Sequence, residues 1–254
     1  MTKQQSYGER LSATAPKKAM KIPEATVARL PLYYRALLGL SDMEVPTVSS
    51  DQLALMSGVN AAKVRKDLSY LGSYGTRGVG YDVQYLLDQI GRELGLDKQW
   101  TVAIVGVGNL GSALANYKGF RERGFKIVAL FDADPQKVGT SVGGLVVLPV
   151  EDLEVICKRE GVEIGIVAVP ATHAQEATEM LVSAGVRSIL NFAPVEVRVP
   201  NNVIVRKVDV AVELQILAFY TREDLTRTAI SELSERSNVA LENEDHSVRA
   251  GEGR

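Results

Sequence analysis

A chain of 254 residues, 46% hydrophobic and 24% charged, fills one large domain or two ordinary ones, and two are expected because single cores stop growing near ~250 residues. No apolar run approaches the ~18 residues of a membrane span, the polar N-terminus lacks a secretion signal, the lone Cys157 excludes an internal disulfide framework, and His173 and His246 are too scattered for a His/Cys metal site, so a cytoplasmic protein without metal is expected. The net charge of −2 hides an asymmetry: residues 1–80 carry 11 Lys/Arg against 6 Asp/Glu and the rest 18 against 25, which makes the front end either a polyanion-binding surface or a solvated basic face.

Residues 1–20, polar and without periodicity, read as a flexible arm. From Pro23 a helical pattern begins, with Val27, Leu30, Tyr34, Leu37 and Leu38 at helical spacing and Pro31 inside it, where it should kink the helix. A second helix starts at "SSDQLALMSG", with Ser49 and Gln52 as a capping box and Gly58 as its stop. A third follows from the N-cap Asn60, with Val64, Leu68 and Leu71 as its buried stripe, Lys63, Lys66 and Tyr70 on another face, and Arg65 and Ser69 beside them.

Two short helices joined by a tight turn, the second basic on its outer face, have helix-turn-helix geometry. The glycine-rich "SYGTRGVGYDV" after Gly72 suits a hairpin with Arg77 at its tip, the shape of a wing. The alternative is a three-helix packing module followed by a glycine-rich linker. "GTRGVG" resembles a phosphate loop, but no apolar strand precedes it and the Lys-Ser/Thr of a P-loop is missing.

Beyond Val83 an amphipathic segment with Leu86, Leu87, Ile90 and Leu94 bridges to Gly95. The runs "TVAIV", "KIVALF", "GLVVLPV", "EIGIVAVP" and "SILNF", separated by helical segments, then predict a parallel sheet covered on both faces. Gly106, Gly108 and Gly111 form G-x-G-x-x-G directly after the first strand, with Val107, Asn109 and Leu110 between them. In that context the glycines allow the tight turn, the close approach of a pyrophosphate and the packing of helix on strand. Twenty-one residues after Gly111, Asp132 ends the second strand, where a carboxylate would bind ribose hydroxyls and repel a 2′-phosphate, favouring NAD(H).

No residue stands out as the acid or base of a dehydrogenase. His173 follows the fourth strand without an evident carboxylate partner, Tyr117 and Lys118 are adjacent and cannot share a helix face, and no substrate domain follows the sheet. The catalytic set is therefore expected to be empty. Residues 208–235 form a long helical segment whose first half, Val210 to Tyr220, is apolar almost all round, as for a helix inserted between two protein surfaces.

Five blocks in the same order, "VRKDLSYLGSYGTRGVGYDV", "VGVGNLGSALANY", "FDADPQKVG", "ILNFAPV" and "KVDVAVELQILAF", resemble the Rex family of redox-sensing transcriptional repressors over residues 22–220. The resemblance implies an α/β chain with an N-terminal winged helix-turn-helix domain, a Rossmann-type parallel-sheet domain binding NAD(H), and a C-terminal helix swapped between the protomers of a homodimer. The expected boundaries are an arm over 1–20, the DNA-binding domain over 21–83, a linker helix over 84–100, the Rossmann domain over 101–207, the swapped helix over 208–236 and a disordered tail over 237–254. It further implies repression at an inverted-repeat operator, with release by NADH and competition from NAD+.

Residue by residue, the resemblance places DNA contacts at Lys63, Arg65, Lys66 and Ser69 of the third helix and at Tyr74, Thr76 and Arg77 of the wing. It adds Val169 and Pro170 to the dinucleotide site and puts the nicotinamide near Asn191, Phe192, Ala193 and Pro194 and near Tyr117. Arg35, Tyr117 and Asp209 would form a switch, Asp209 pairing with Arg35 of the other subunit in the DNA-competent state and with Tyr117 when NADH is bound. The competing classes are an NAD-dependent oxidoreductase with a basic accessory domain and, third, a nucleotide or CoA binder without redox chemistry.

Overall fold

The computed structural model describes residues 22–73, 75–76 and 78–223; the expected arm, Tyr74, Arg77, the end of the swapped helix beyond 223 and the tail lie outside the described residues. The chain divides into two units, residues 1–99 and 100–254.

The first unit runs α1 (Glu24–Val27), α2 (Leu30–Asp42), β1 (Thr47–Val48), α3 (Ser50–Ser57), α4 (Ala61–Tyr70), β2 (Tyr81–Asp82) and α5 (Val83–Glu93). Pro31 does not kink a continuous helix. The chain breaks at Ala28–Arg29 and Pro31 sits in the first turn of α2, where its missing N–H costs nothing. The break also re-phases the apolar stripe: Leu30, Tyr33, Ala36 and Leu37 are buried, whereas Val27 and Leu38, both expected inside, are exposed.

The turn between α3 and α4 follows its sequence signals. The Ser49 hydroxyl accepts from the Gln52 N–H at 3.1 Å while the Gln52 side-chain Oε1 accepts from the Ser49 N–H at 3.0 Å, Gly58 closes α3 in the left-handed conformation, and Asn60 caps α4 by accepting from the Ala62 N–H at 2.7 Å. After α4 the chain makes a tight Thr76–Gly80 turn bonded in both directions, and β2 then pairs antiparallel with β1 in the register Val48↔Tyr81. The hairpin expected within residues 73–83 is thus a single bridge, and its strand partner is Thr47–Val48, a two-residue element too short for any periodicity to reveal.

Residues 84–99 of the segment expected as a linker helix fall within this unit, and Trp100 opens the second. Asp82 caps α5 by accepting from the Tyr85 N–H at 2.7 Å, and Val83, Leu86, Leu87 and Ile90 join Leu30, Tyr33, Leu37, Val64 and Leu68 in one core.

The second unit contains β3 (Trp100–Val105), α6 (Asn109–Ala115), α7 (Lys118–Glu122), β4 (Phe125–Asp132), β5 (Ser141–Val142), β6 (Leu145–Pro149), α8 (Leu153–Glu160), β7 (Ile164–Val167), α9 (Ala174–Ser183), β8 (Ser188–Asn191), β9 (Ile204–Lys207) and a helix α10 over 210–223. The sheet order is β5-β6-β4-β3-β7-β8-β9, parallel throughout except for the β5–β6 edge pair. This is the doubly wound arrangement in which strand order reverses between β3 and β7.

One face is closed by α8 and α9 over Val105, Phe131 and Val167. The opposite face is covered only in part, by residues of α6 and α7 such as Leu114 and Phe120 packed near Val102, Ile104 and Leu130. The expectation of a sheet covered on both faces therefore fails beyond β3. The β8–β9 connection carries no helix, so Ile164, Ile166, Leu190 and Ile204 line an apolar recess of about 260 Å³ together with Phe120 and Phe125.

Candidate functional site

The glycine turn lies where the strand order reverses. The Gly106 N–H donates to the Phe131 carbonyl at 2.8 Å, and its φ of 95° brings it so close to β7 that a Cβ would sit 2.6 Å from the Ala168 carbonyl oxygen and 2.7 Å from Val169 Cγ1. At Gly111 a Cβ would run into the Gly106 carbonyl oxygen, so only glycine lets α6 close against the end of β3. Gly108, the N-cap of α6, faces open space.

Asp132, at the end of β4, ties the turn together. One carboxylate oxygen accepts from the Val107 N–H at 2.7 Å and from Lys137 Nζ at 3.1 Å, and the other accepts from the Asp134 N–H at 2.9 Å. Burial alone would push this carboxyl up, but the Asp134 and Val107 N–H groups and the Lys137 ammonium outweigh it and hold it below the usual carboxylate range, so it is ionised at neutral pH.

Gly106, Gly108, Asp132, Val169 and Pro170, all expected from sequence, line a cavity of about 470 Å³, joined by Asp134, Lys137, His173 and Glu176. The donor set suits a dinucleotide: side-chain-free backbone beside a helix start for the pyrophosphate and an ionised carboxylate for ribose hydroxyls. Sequence reasoning missed Lys137, for which the only signal was its place five residues after Asp132 in "DADPQK". His173 has a carboxylate neighbour that the sequence did not suggest, its Nδ1 lying 4.0 Å from Glu176, and both side chains are exposed.

Other expected residues stand outside this cavity. Val107 is buried, Asn109 and Leu110 sit exposed at the start of α6, and Phe192 is half-buried beside the exposed Pro194. The Asn191 side chain is buried and consumed within its own loop, accepting from the Ala193 N–H at 2.9 Å and donating to the Val195 carbonyl at 2.9 Å. Ala193 is equally buried. Both therefore shape the loop and offer no side chain to a ligand.

The Tyr117 ring is half exposed and packs edge-on against Phe120 at 5.1 Å, and its hydroxyl accepts from Arg123 Nη1 at 3.2 Å. Asp209 caps α10, accepting from the Ala211 N–H at 3.1 Å, with Lys207 Nζ 3.8 Å away. Tyr117 and Asp209 each have partners other than one another, and Arg35 is exposed on α2 of the first unit.

On the first unit, Lys63, Arg65 and Lys66 project from α4 into solvent, and Thr76 is exposed in the wing turn. Arg65 Nη1 donates to the Ser50 hydroxyl at 2.8 Å, linking α4 to the start of α3, and the Ser69 hydroxyl donates to the Lys66 carbonyl at 2.7 Å. Expected contacts Tyr74 and Arg77 lie outside the described residues.

Behind this face is a cluster that the sequence did not reveal. Asp67, 2% exposed, accepts from Thr26 Oγ1 at 2.8 Å, from Arg29 Nε and Nη2 at 2.7 and 2.8 Å, and from Tyr33 Oη at 2.7 Å. Burial works to raise its pKa, but the bonds from Arg29, Tyr33 and Thr26 prevail and hold it below the usual range. The Arg29 guanidinium is held charged by its bonds to Asp67, and burial followed by Asp67 pushes the Tyr33 phenol up. Asp67 falls on the α4 stripe, three residues after Val64, and only its charge argues for the surface; its partners lie 34 to 41 residues away.

Comparison with known proteins places these features. Residues 21–69 match a family described as the N-terminus of a putative DNA-binding protein, and residues 97–195 match the CoA binding domain. A curated relative from Streptomyces avermitilis, the redox-sensing transcriptional repressor Rex, is 60% identical over 211 residues, covering 83% of this chain and 84% of that one. The protein of the same name from Carboxydothermus hydrogenoformans is 52% identical over 207 residues, covering 82% and 100%. Among solved structures, RSP in complex with β-NAD+ and operator DNA matches with a TM-score of 0.76 at 34% identity, over 84% of this chain and 98% of that one. RSP in complex with β-NADH matches with a TM-score of 0.75 at 34% identity, over 83% and 99%.

Proposed function

The chain belongs to the Rex family of redox-sensing transcriptional repressors, and from that premise we propose that it represses by binding operator DNA as a homodimer and is released when NADH fills the cavity beside Asp132. It is a regulator and not an enzyme, which sets aside the oxidoreductase alternative. It acts through DNA and NAD(H). No helix among the described residues is long and apolar enough to cross a membrane.

The observation that carries the reading is Asp132, whose ionised carboxylate faces the cavity while bonding the backbone of the glycine turn. The acid for the ribose and the turn for the pyrophosphate are thereby fixed relative to one another. When bound, NAD(H) supplies only a difference in charge and shape between its oxidised and reduced nicotinamide. Binding and positioning fall to Gly106, Gly108, Asp132, Val169 and Pro170, with Asn191 and Ala193 setting the loop that Phe192 and Pro194 present.

On the DNA side, Lys63, Arg65, Lys66 and Ser69 of α4 would enter the major groove, and the wing residues would meet the backbone and minor groove. Dimerisation is supported by two unpartnered apolar surfaces of the second unit. Helix α10 exposes Val210, Leu214, Leu217 and Phe219, and the sheet exposes the recess between Val102, Ile166 and Ile204. Exchange of α10 between two copies would cover both, and Asp209 at its root would trade partners between Arg35 of the other copy and Tyr117.

The decisive experiment measures binding of inverted-repeat operator DNA by fluorescence anisotropy across NADH/NAD+ ratios. NADH is expected to weaken DNA binding by about 5- to 150-fold, with DNA weakening NADH binding by the same factor. Equal operator affinity with and without saturating NADH refutes the reading.

A further inference from the structure

Lys137 stands at the one corner of the cavity where two forms of the coenzyme differ. Its Nζ lies 3.1 Å from the Asp132 carboxylate and 3.9 Å from Asp134, and all three residues line the cavity. Two carboxylates against one ammonium leave that corner negative, which excludes a 2′-phosphate. The exclusion is weaker than it would be without the lysine. A ribose hydroxyl bonded to Asp132 would stand about 3 Å from a carboxylate oxygen, which puts that hydroxyl oxygen within roughly two hydrogen-bond lengths of Nζ and a group on it within reach of the lysine side chain. Cationic side chains in this region of a dinucleotide fold are the usual means of accommodating a 2′-phosphate. Moreover, the lysine side chain is 39% exposed and the carboxylate 10%, so the lysine can turn toward a ligand while Asp132 is held in place by two backbone N–H groups.

We infer that Lys137 sets how strictly the site excludes 2′-phosphorylated dinucleotides: its ammonium, tethered to Asp132, is a latent phosphate subsite that narrows the preference for NAD(H) over NADP(H). The inference rests on the assignment of the cavity as the NAD(H) site. Removing the charge sharpens the preference, and a different cation in its place preserves it.

The test titrates the full-length protein with NADH and with NADPH by nucleotide fluorescence, for the unaltered chain and for Lys137→Met and Lys137→Arg. In Lys137→Met the ratio of the NADPH to the NADH dissociation constant rises about tenfold, and in Lys137→Arg it stays within about threefold of the starting value. Adenosine 2′,5′-bisphosphate, used as a competitor, loses potency in Lys137→Met by a similar factor. A ratio that moves less than threefold in Lys137→Met, or that falls, overturns the inference while leaving the NAD(H) site standing. Failure of the unaltered chain to bind NADH overturns both.

Discussion

Replacing Asp67 with asparagine should loosen the helices behind the exposed basic face of α4. The carboxylate accepts four bonds, two from the Arg29 guanidinium and one each from Thr26 and Tyr33. An amide at the same place keeps one acceptor and turns an NH2 toward two donors. Removing one partner of a buried pair costs about 3–5 kcal/mol, but the Arg29 side chain is 24% exposed and recovers some hydration, which brings the expected loss to about 3 kcal/mol, or roughly a hundredfold in the opening equilibrium. Hydrogen exchange read by mass spectrometry on the full chain resolves this, because amides of α2 and α4 should exchange about a hundredfold faster while those of α9 stay as they were. The same contact responds to acid. A carboxyl held below its ordinary range contributes fully above pH about 4 and loses that contribution as pH falls through the lowered value. Protection of α2 and α4 should therefore fall below pH about 4 in the unaltered chain and much less steeply in Asp67→Asn. Exchange in the variant within threefold of the original at neutral pH would refute the account.

Lys66→Ala should weaken operator binding by about tenfold and reduce the slope of log affinity against log salt by about 0.9, checked by anisotropy between low and moderate salt. Gly111→Ala forces a Cβ into the Gly106 carbonyl and should abolish NADH binding in a titration while leaving the exchange protection of α2 and α4 intact. Leu214→Asp with Leu217→Asp should shift the assembly to monomer in sedimentation, because both side chains belong to the apolar surface of α10. Burial pushes the Cys157 thiol up to about 11, which leaves about one part in a thousand as thiolate at pH 8, so iodoacetamide should leave the folded protein unlabelled over hours and label it only on unfolding.

Local chemistry was legible wherever a residue acts on its immediate neighbours. The Ser49–Gln52 box and the Asn60 cap act within the turn that contains them, and the glycine turn and Asp132 follow a motif of fixed spacing even though Asp132 bonds Val107, 25 residues away. What escaped depends on distance in sequence. The pairing of Thr47–Val48 with Tyr81–Asp82, the return of α5 into the first core and the gathering of Thr26, Arg29 and Tyr33 around Asp67 are contacts between segments far apart, which no window of periodicity contains. Pro31 was misread for a related reason. A proline inside an apolar repeat and a proline opening a new helix look alike until the break before it is seen. The loop at Asn191 was found, but not that its amide bonds its own backbone, a role that a polar loop residue's sequence context does not reveal.

The Asp67 cluster has a mechanical side. Tyr33 and Arg35 sit two residues apart on α2, and Tyr33 is clamped to α4 through the Asp67 carboxylate, which also grips Thr26 and Arg29 just ahead of α2. A push delivered at Arg35 would thus be shared by α2 and α4 through that carboxylate, as across a stiff plate.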